Sequence, residues 1–484
     1  MSFRRLVSVI TLLAIFTMAL RASVAGDTWW HLRAGNWMLE NGQILRVDPF
    51  SLTRLGQPWI YPGWLAEILM ALLFQSLGYG GLNLLTALSV LAAFLFLWRV
   101  VEAPPLVKGF AFVLAAAVSG VYWSARPQIL SFAMTGAFLL ALAKVRREGR
   151  RAVWLLPALM ALWVNLHGGY FIGLILLGIE IASALLERFG PRSLQIPADD
   201  APGSVLRTLG LGAVLSLLAV SFNPNGPSML LYPLKTVSIG VLRDYIQEWQ
   251  SPNFHSLEVQ PFLWMLFLTL VFMSVSPERP RWREILSVVL FGYMGFLAAR
   301  NVALFGLTAL PALCQHAGVT LQPWLPHPYR SAQPSSGTAR FLNALLLGLV
   351  GLAAVAKALL PMSPAVNEEA IRRQAPVAAV DFLAAHQPPG PLLNSYNWGS
   401  YVIWRLYPQY LSFVDGRTDL FDDEILEQYL ALWRAEAGWE QLMRRWDLRL
   451  ALLEPDAPLS AALLDAGWTD LYRDEQSIIL AAPE

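Results

Sequence analysis

Apolar segments alternate with short polar connections through residue 360 of this 484-residue chain. Most of them approach the length of about 17–25 residues that a membrane-spanning helix needs. We therefore predict a bundle of about eleven transmembrane helices. They lie near residues 6–20, 82–100, 107–123, 128–144, 152–166, 169–187, 205–221, 261–276, 284–299, 301–316 and 341–360. Segment 64–78 is amphipathic, so we expect it to lie along the membrane interface, with Glu67 as an outward-facing helix charge.

Basic residues are concentrated in every second connection, which predicts the orientation of the chain. By the positive-inside rule, the connections rich in Lys and Arg face the cytoplasm, and so does the N-terminus. An odd number of spans then places the C-terminus outside. The first segment is read as an uncleaved span; cleavage as a signal peptide after Ser23-Val24-Ala25 is the alternative, and Asp27 is outside in both cases. The basic positions are Arg4, Arg5, Arg99, Lys108, Lys144, Arg146, Arg147, Arg150, Arg151, Arg188, Arg192, Arg207, Arg279, Arg281, Arg283, Arg330 and Arg340.

The pattern changes after Pro361, where short strand-like and helix-like segments alternate. This alternation predicts a small α/β domain. We expect strands at 392–394, 411–414 and 448–453, with two more ending at Leu480, and helices at 376–387, 398–406, 421–434, 437–446 and 457–465. The predicted fold is thus a mainly α polytopic membrane bundle, residues 1–360, followed by an extracytoplasmic α/β domain, residues 361–484. The bundle includes a long first outward loop, residues 25–64.

Composition supports a membrane protein and excludes several classes of soluble protein. Hydrophobic residues make up 56% of the chain and charged residues only 14%, against about 25% in soluble domains. The net charge of +1 gives no reason to expect nucleic acid as a partner. Cys314 is the single cysteine, so internal disulfides and CxxC sites are excluded. Walker, GxGxxG, HExxH and GxSxG patterns are missing from the sequence, which disfavours ATP-driven transport and the common soluble enzymes.

The first outward loop carries the candidate catalytic residues Asp27, His31 and Asp48. Asp27 either caps a helix or acts as a general base whose pKa is raised by apolar surroundings. His31 lies one helical turn further on the same face and is a hydrogen-bond partner, an interface residue or a metal ligand. Asp48 precedes Pro49, so it is a turn residue or the third ligand of an optional divalent metal.

Three other outward turns each present a cation or a histidine: Arg126, His167 and Arg300. An arginine between two apolar segments is costly and marks a functional site unless it snorkels to the surface. Gly168 and Gly169 beside His167 allow a ligand to approach the backbone closely. Together the three residues suit a phosphate group, which arginine binds through two parallel hydrogen bonds.

The tail offers Trp398, Tyr401, Asp415 and Arg417 as a second set of candidates. Each is explained singly as a core aromatic or as part of an Asp-Gly turn after a strand. As a set near two strand ends, they are candidates for an acceptor-binding cleft.

These features together resemble the GT-C glycosyltransferases, integral membrane enzymes that use polyprenyl-phosphate-linked sugars. Asp27 matches the position of the acid in that family's first outward loop, which is taken as a base or a metal ligand. The segments Asn397 to Tyr401 and Phe413 to Thr418 resemble the region of oligosaccharyltransferase catalytic subunits around their Trp-Trp-Asp-Tyr-Gly motif. Here Asn397 stands in place of the motif's acid and Tyr396 in place of its first tryptophan, so we do not predict N-glycosylation of protein.

The resemblance implies transfer of a sugar from a polyprenyl-phosphate donor to a glycan, lipid or protein hydroxyl at the outer face of the cytoplasmic membrane. Arg300, Arg126 and His167 would hold the donor phosphate, and Asp27 would take the proton of the acceptor. No cofactor is required, and a divalent metal is optional. The alternatives are a binder or transporter of a lipid-linked glycan that performs no chemistry, and a polysaccharide ligase or polymerase.

The predicted orientation is tested with alkaline phosphatase and green fluorescent protein fusions. A fusion at the C-terminus should show phosphatase activity and no fluorescence, because an odd number of spans places it outside. A fusion within the basic connection 144–151 should behave in the opposite way. Fluorescence from the C-terminal fusion would contradict the predicted register of spans.

Overall fold

The protein is mainly helical, as seen in a computed structural model that describes residues 2–190, 202–325 and 337–483. Most of its helices coincide with the apolar segments of the sequence. They are α1 (Phe3–Ala19), α2 (Thr28–Asn41), α3 (Trp64–Val100), α4 (Pro105–Ser119), α5 (Gln128–Glu148), α6 (Leu155–Leu166), α7 (Phe171–Phe189), α8 (Pro202–Val220), α9 (Tyr232–Ser238), α10 (Gly240–Tyr245), α11 (Gln260–Val275), α12 (Trp282–Leu297), α13 (Val302–Thr308), α14 (Leu310–Leu321), α15 (Gly337–Leu359), α16 (Pro364–Arg372), α17 (Val377–His386), α18 (Gly399–Leu406), α19 (Thr418–Trp433), α20 (Trp439–Arg445) and α21 (Pro458–Asp465).

Each predicted span coincides with a helix, except 301–316, which falls on the two helices α13 and α14. Length and apolar character identify fewer spans than eleven. Among the described residues, five helices are long and apolar enough to cross a membrane. They are Trp64–Val100, Pro105–Tyr122, Gln128–Arg151, Gly168–Phe189 and Gly337–Met362. A sixth is obtained if the pair Ala299–Thr308 and Leu310–Trp324, bent by 46°, is one span. The prediction of about eleven spans therefore stays a prediction.

Helix α3 joins two segments that the sequence separates. At Gly78 the backbone leaves helical geometry, with φ 58° and ψ −147°. Glycine adopts positive φ without the steric cost that a Cβ atom imposes, so it permits the break. The break lies at the last residue of the predicted amphipathic segment 64–78, before the predicted span 82–100.

The chain divides into two compact units. The first contains Met1–Ser23, Asn83–Leu231 and Ile246–Met362, and the second contains Val24–Leu82, Tyr232–Tyr245 and Ser363–Glu484. The sequence prediction divided the chain at residue 360 and counted residues 25–64 with the helices; by compactness they group with the tail. The predicted cytoplasmic residues Arg192 and Arg330 lie outside the described residues.

The helical unit has a core of close helix–helix contacts. Aromatic rings fill it in two groups: Phe94 with Phe112 and Phe132, and Phe262 with Phe305. At Gly136 in α5, a Cβ atom would stand 2.7 Å from the carbonyl oxygen of Ala93 in α3. Small residues of this kind let membrane helices approach closely.

The second unit contains a four-stranded sheet in the order β1-β2-β4-β3. Its strands are β1 (Leu392–Asn394), β2 (Leu450–Leu453), β3 (Thr469–Arg473) and β4 (Ile478–Ala481). β1 and β2 are parallel, with Leu392 opposite Leu450, whereas β4 runs antiparallel to both β2 and β3. All residues of β1 and β2 are buried, and both strands are mainly apolar, as is usual where both faces are covered.

The predicted strand at 411–414 is wrong. Residues Leu411–Val414 form no strand because side-chain groups satisfy part of their backbone. The Asn394 side chain accepts from the Phe413 N–H at 2.7 Å and donates to the Val414 carbonyl at 2.8 Å. Ser412 exchanges backbone hydrogen bonds with Phe50 and Leu52 of the first outward loop. The remaining predicted strands and helices of the tail are present within a few residues of their expected bounds.

The close approach at Gly136 is tested with two glycine variants of the full-length protein. Gly136→Ala should lower the thermal unfolding midpoint, with a loss of about 1–3 kcal/mol, because rigid backbone must move away from the new methyl group. Gly178→Ala in α7 is the matched control, since a Cβ there meets nothing within 4 Å. Equal midpoints for the two variants in the same detergent would contradict this packing.

Candidate functional site

Three turns of the helical unit carry Arg126, His167 and Arg300. Arg126 directly precedes Pro127, which occupies the N-cap position of α5. Arg300 lies in a short 3₁₀ turn, Ala299–Asn301, between α12 and α13. His167 ends α6 in an extended conformation, with φ −169° and ψ 152°. A side chain in a turn is not part of a helix surface that packs against neighbouring helices, so it can face a ligand.

Arg126 is paired with the carboxylate of Glu248, and Arg300 acts on that carboxylate only through its charge. Arg126 donates from Nη2 to Glu248 Oε1 at 2.5 Å and from Nε to Ser124 Oγ at 3.2 Å. The Arg300 guanidinium stacks on Trp249, 4.4 Å from the ring centroid. Within the described part of the chain, Arg300 has no carboxylate at ion-pair distance. Burial alone would raise the pKa of Glu248, but Arg126 and Arg300 lower it, so this carboxylate is ionised and the cluster keeps an excess of positive charge.

His167 is a neutral imidazole in this cluster. Burial lowers its pKa to about 3, with further lowering by the charges of Arg300 and Arg126. Its Nδ1 accepts from the Gly169 N–H at 3.0 Å and lies 2.9 Å from Ser131 Oγ. Ser131 Oγ in turn accepts from Trp163 Nε1 at 2.7 Å. Because Nδ1 is an acceptor, the proton of the ring is on Nε2, which is therefore a donor.

Arg126, Arg300 and His167 are thus close enough to interact electrostatically, as the sequence analysis expected. We refer to them as the arginine–histidine cluster. Two guanidinium groups and one neutral N–H donor can bind an anion, and the fork of arginine matches the geometry of phosphate. Their role as ligands of a donor phosphate stays a prediction.

Asp27 lies in the second unit, at the N-cap position of α2, but its side chain does not cap that helix. It lies instead against the turn Asp415-Gly416-Arg417. A Cβ atom on Gly416 would stand only 1.8 Å from Asp27 Oδ1 and 2.9 Å from Cγ. The carboxylate therefore occupies the space that any residue other than glycine would fill. The capping interpretation of Asp27 is wrong for this reason.

His31 follows one turn after Asp27 and pairs with Glu67. The distance from His31 Nδ1 to Glu67 Oε1 is 3.0 Å, and both side chains are buried. Glu67 is 1% exposed, so its interpretation as an outward-facing charge is wrong. The side chain faces α2, because α3 packs against α2 so closely that a Cβ on Gly35 would stand 2.2 Å from the Glu67 carbonyl oxygen.

Asp48, Asp415 and Arg417 meet as a fully buried ion triad. Arg417 Nη1 is 2.5 Å from Asp48 Oδ1, and Nε and Nη2 are 2.8 and 2.7 Å from the two oxygens of Asp415. Asp48 also accepts from the backbone N–H groups of Phe50 and Ser51 at 3.0 and 3.1 Å. Although burial alone would lower it, the pKa of Arg417 is raised by Asp415 and Asp48. The triad therefore ties the first outward loop to the tail, and its members have no surface left for a substrate.

Trp398 and Tyr401, the aromatic candidates of the tail, are buried, each only 4% exposed. The Tyr401 ring packs edge-on against Trp29 at 5.2 Å, and its hydroxyl accepts from Arg405 Nη1 at 3.1 Å. These contacts indicate that the two aromatics hold α18 in the core of the second unit.

Three residues near Asp27 were not identified from the sequence: Asp419, Tyr61 and Tyr232. Burial raises the pKa of Asp419 to about 6, and its Oδ2 accepts from the Tyr232 hydroxyl at 3.3 Å. Burial and the charges of Glu67, Tyr232, Asp419 and Asp27 raise the pKa of Tyr61. The phenol of Tyr61 therefore lies among these four ionisable side chains. Asp419 comes two residues after the Asp-Gly-Arg turn, which was a usable signal, whereas nothing in the sequence linked Tyr232 to this place.

Within residues 2–190, 202–325 and 337–483, no three His, Cys, Asp or Glu side chains are grouped so that they could hold a metal ion. The expected ligand set Asp27, His31 and Asp48 is therefore not formed. Asp48 is bound to Arg417, and His31 to Glu67.

Comparison of the sequence with protein-family models and with curated proteins finds no match. Solved structures do match. The archaeal oligosaccharyltransferase AglB from Archaeoglobus fulgidus, in complex with an inhibitory peptide and a dolichol-phosphate, is similar with a TM-score of 0.58 and 13% identity, over 91% of this chain and 68% of AglB. ArnT from Cupriavidus metallidurans, bound to undecaprenyl phosphate, is similar with a TM-score of 0.55 and 15% identity, over 98% of each chain. The arabinofuranosyltransferase AftD from Mycobacteria is similar with a TM-score of 0.51 and 14% identity, over 99% of this chain and 40% of AftD. All are GT-C glycosyltransferases, so the predicted GT-C fold is confirmed.

The buried triad predicts a large difference between two arginine variants. Arg417→Met leaves two buried carboxylates without a counter-charge and should lower the free energy of unfolding by about 3–5 kcal/mol. Arg449→Met is the control, because its pairing with Asp447 is exposed and should contribute less than about 1 kcal/mol. Thermal unfolding followed by tryptophan fluorescence gives the comparison. Equal stability of the two variants would contradict a structural role for Arg417.

Proposed function

We propose that this protein is an integral membrane glycosyltransferase that transfers a sugar from a polyprenyl-phosphate donor to a hydroxyl acceptor at the outer face of the cytoplasmic membrane. The observation that carries the proposal is the arginine–histidine cluster, which has more cations than anions in a chain with the GT-C fold. Support for a lipid-linked donor comes from the dolichol-phosphate and undecaprenyl phosphate bound to AglB and ArnT.

In this proposal Arg300 binds the donor phosphate through its guanidinium fork. Trp249 holds the plane of that guanidinium, and no carboxylate in the described part of the chain competes for it. Arg126 adds a second positive charge that Glu248 partly offsets, and His167 Nε2 adds a neutral donor. As the sugar departs, negative charge collects on the phosphate, and donors already in place stabilise it without reorganisation.

Asp27 is the proposed general base. The acceptor hydroxyl oxygen forms a bond to the anomeric carbon while its proton passes to the Asp27 carboxylate. The bond from that carbon to the phosphate oxygen breaks, and its electron pair leaves with the polyprenyl phosphate. Direct displacement of this kind inverts the anomeric configuration. The step is balanced without a cofactor, and a divalent metal is not needed for it.

The other sequence candidates have positioning roles in this proposal. The triad of Asp48, Asp415 and Arg417 fixes the turn in which Gly416 receives the Asp27 carboxylate. His31, bound to Glu67, fixes the first turn of α2. Trp398 and Tyr401 support the same unit through packing, so we no longer assign the acceptor to them.

The proposal is tested by transfer assays on the full-length protein in liposomes. The donors are undecaprenyl-phosphate hexoses and pentoses with a radiolabelled sugar, and the acceptor is the organism's own lipid and glycan extract. Asp27→Asn should reduce transfer by about 10²–10⁴-fold while binding of undecaprenyl phosphate is retained, because proton transfer contributes that range. Arg300→Gln should weaken binding of undecaprenyl phosphate by roughly 10–100-fold, the value of a charge-assisted hydrogen bond. Label is followed by thin-layer chromatography, with and without EDTA.

Matched controls are Asp465→Asn and Arg340→Gln, which remove one charge each at exposed positions. Full transfer by a folded Asp27→Asn variant would show that another group is the base. Binding of undecaprenyl phosphate without transfer from any donor would instead support a binder or transporter. Transfer of whole oligosaccharides rather than single sugars would favour a ligase or polymerase.

A further inference from the structure

A second charged cavity lies in the helical unit, at the other end of α5 from Arg126. Its volume is about 410 Å³, and it is lined by the ends of several helices of this unit. Four arginines contribute to its wall: Arg146, Arg147, Arg281 and Arg283. The basic connections that the sequence analysis predicted to share the cytoplasmic side therefore meet around one cavity.

The length of α5 gives the position of this cavity relative to the membrane. Helix α5 has 21 residues, and a rise of 1.5 Å per residue makes it about 30 Å long. That length equals the thickness of the hydrocarbon core of a typical bilayer. Arg126 lies two residues before the first residue of this helix, Gln128, and Arg146 lies in its last turn. If Arg126 is at one membrane surface, Arg146 is at the headgroup level of the opposite leaflet.

Two of the three carboxylates in the cavity wall, Glu180 and Glu284, are already engaged and the third, Glu102, is exposed, whereas one buried arginine N–H group remains. Glu180 accepts from Arg146 Nε, and Glu284 accepts from the Arg281 N–H at 2.7 Å and is 3.3 Å from His316 Nε2. Arg146 Nη2 is buried and, among the described residues, has no hydrogen-bond partner. A buried donor without a partner is costly, and a ligand that accepts hydrogen bonds removes this cost. An anion fits this wall better than a cation.

A neighbouring cavity of about 630 Å³ shares Arg146 and Arg147 with the first. It adds Arg150 and Arg207, while Glu148 is the one acid among its lining residues in the described part of the chain. The hydroxyl-bearing residues Ser204 and Thr208 also line it. Positive charge thus continues from one cavity to the next across Arg146 and Arg147.

We propose that the Arg146–Arg147 wall binds the phosphate of an anionic phospholipid headgroup from the leaflet at that end of α5. Apolar side chains of α5, Leu139, Leu142 and Ala143, line the same cavity and suit the glycerol and first acyl carbons of a lipid. Basic pockets between membrane helices on the cytoplasmic side are suited to such headgroups. This inference does not depend on sugar transfer, because its site is at the other end of α5 from the arginine–histidine cluster.

The test is native mass spectrometry of the full-length protein released from detergent after titration with phosphatidylglycerol or phosphatidylcholine. Wild-type protein should retain phosphatidylglycerol and not phosphatidylcholine. Arg147→Gln should weaken retention roughly fivefold, the loss expected for one basic residue at a lipid surface. Arg147 is the lead position because its side chain is exposed, so its loss does not threaten folding. Arg146→Gln should have a larger effect.

Lys144→Gln is the matched control, since Lys144 is exposed on the same helix and lines neither cavity. It should retain phosphatidylglycerol like the wild type. Equal retention by Arg147→Gln and Lys144→Gln would overturn the proposal. So would complete displacement of phosphatidylglycerol by equimolar glycerol 1-phosphate, because the site would then recognise a soluble phosphate compound and not a lipid.

Discussion

The structure depends on how each buried or half-buried charge is compensated. Removing a charge from water costs several kcal/mol unless an opposite charge and hydrogen bonds replace the water. Arg417 meets this requirement completely, with two carboxylates on its guanidinium and Phe50 and Trp59 beside it. Arg300 does not, since among the described residues it has a ring and no carboxylate. Complete compensation indicates a structural charge, and incomplete compensation indicates a ligand site.

The same requirement explains why the first outward loop and the tail share one unit. Asp48 comes from the loop, Asp415 and Arg417 from the tail, and none of the three is stable in the interior alone. Their pairing fixes the Asp415-Gly416-Arg417 turn, and the missing side chain of Gly416 leaves room for the carboxylate of Asp27. A structural ion triad therefore determines where the proposed base lies. Asp27 and Arg300 belong to different units, and each is explained by its own surroundings.

The sequence predicted well the features that depend on apolar length and on the charge pattern of a membrane protein. It predicted poorly the features that depend on contacts between residues distant in the chain. Apolar length predicted the helices, and the charge pattern placed Arg126, His167 and Arg300 on the same side, where they interact. The strand at 411–414 failed because Asn394, distant in sequence, satisfies that backbone. Glu67 was misread because its partner His31 is on another helix. Asp48 was a catalytic candidate and Asp415 and Arg417 were acceptor-binding candidates, but the three form a buried ion triad, and their burial is a property of the folded unit that no local pattern contains.

Helix α5 finally helps to distinguish a transferase from a permeation path. A path for a charged ligand needs polar groups through the middle of the bilayer, and transporters place their binding sites there. Residues 128–143 of α5 carry no charged side chain, and the charges lie beyond both ends of that stretch. The buried hydroxyls within it are already engaged: Thr135 donates to the Ser131 carbonyl at 2.8 Å, and Ser131 Oγ is bound to Trp163 and His167. Along α5, the separation of two sets of cations by an apolar stretch therefore agrees better with the two proposed phosphate sites than with a path between them.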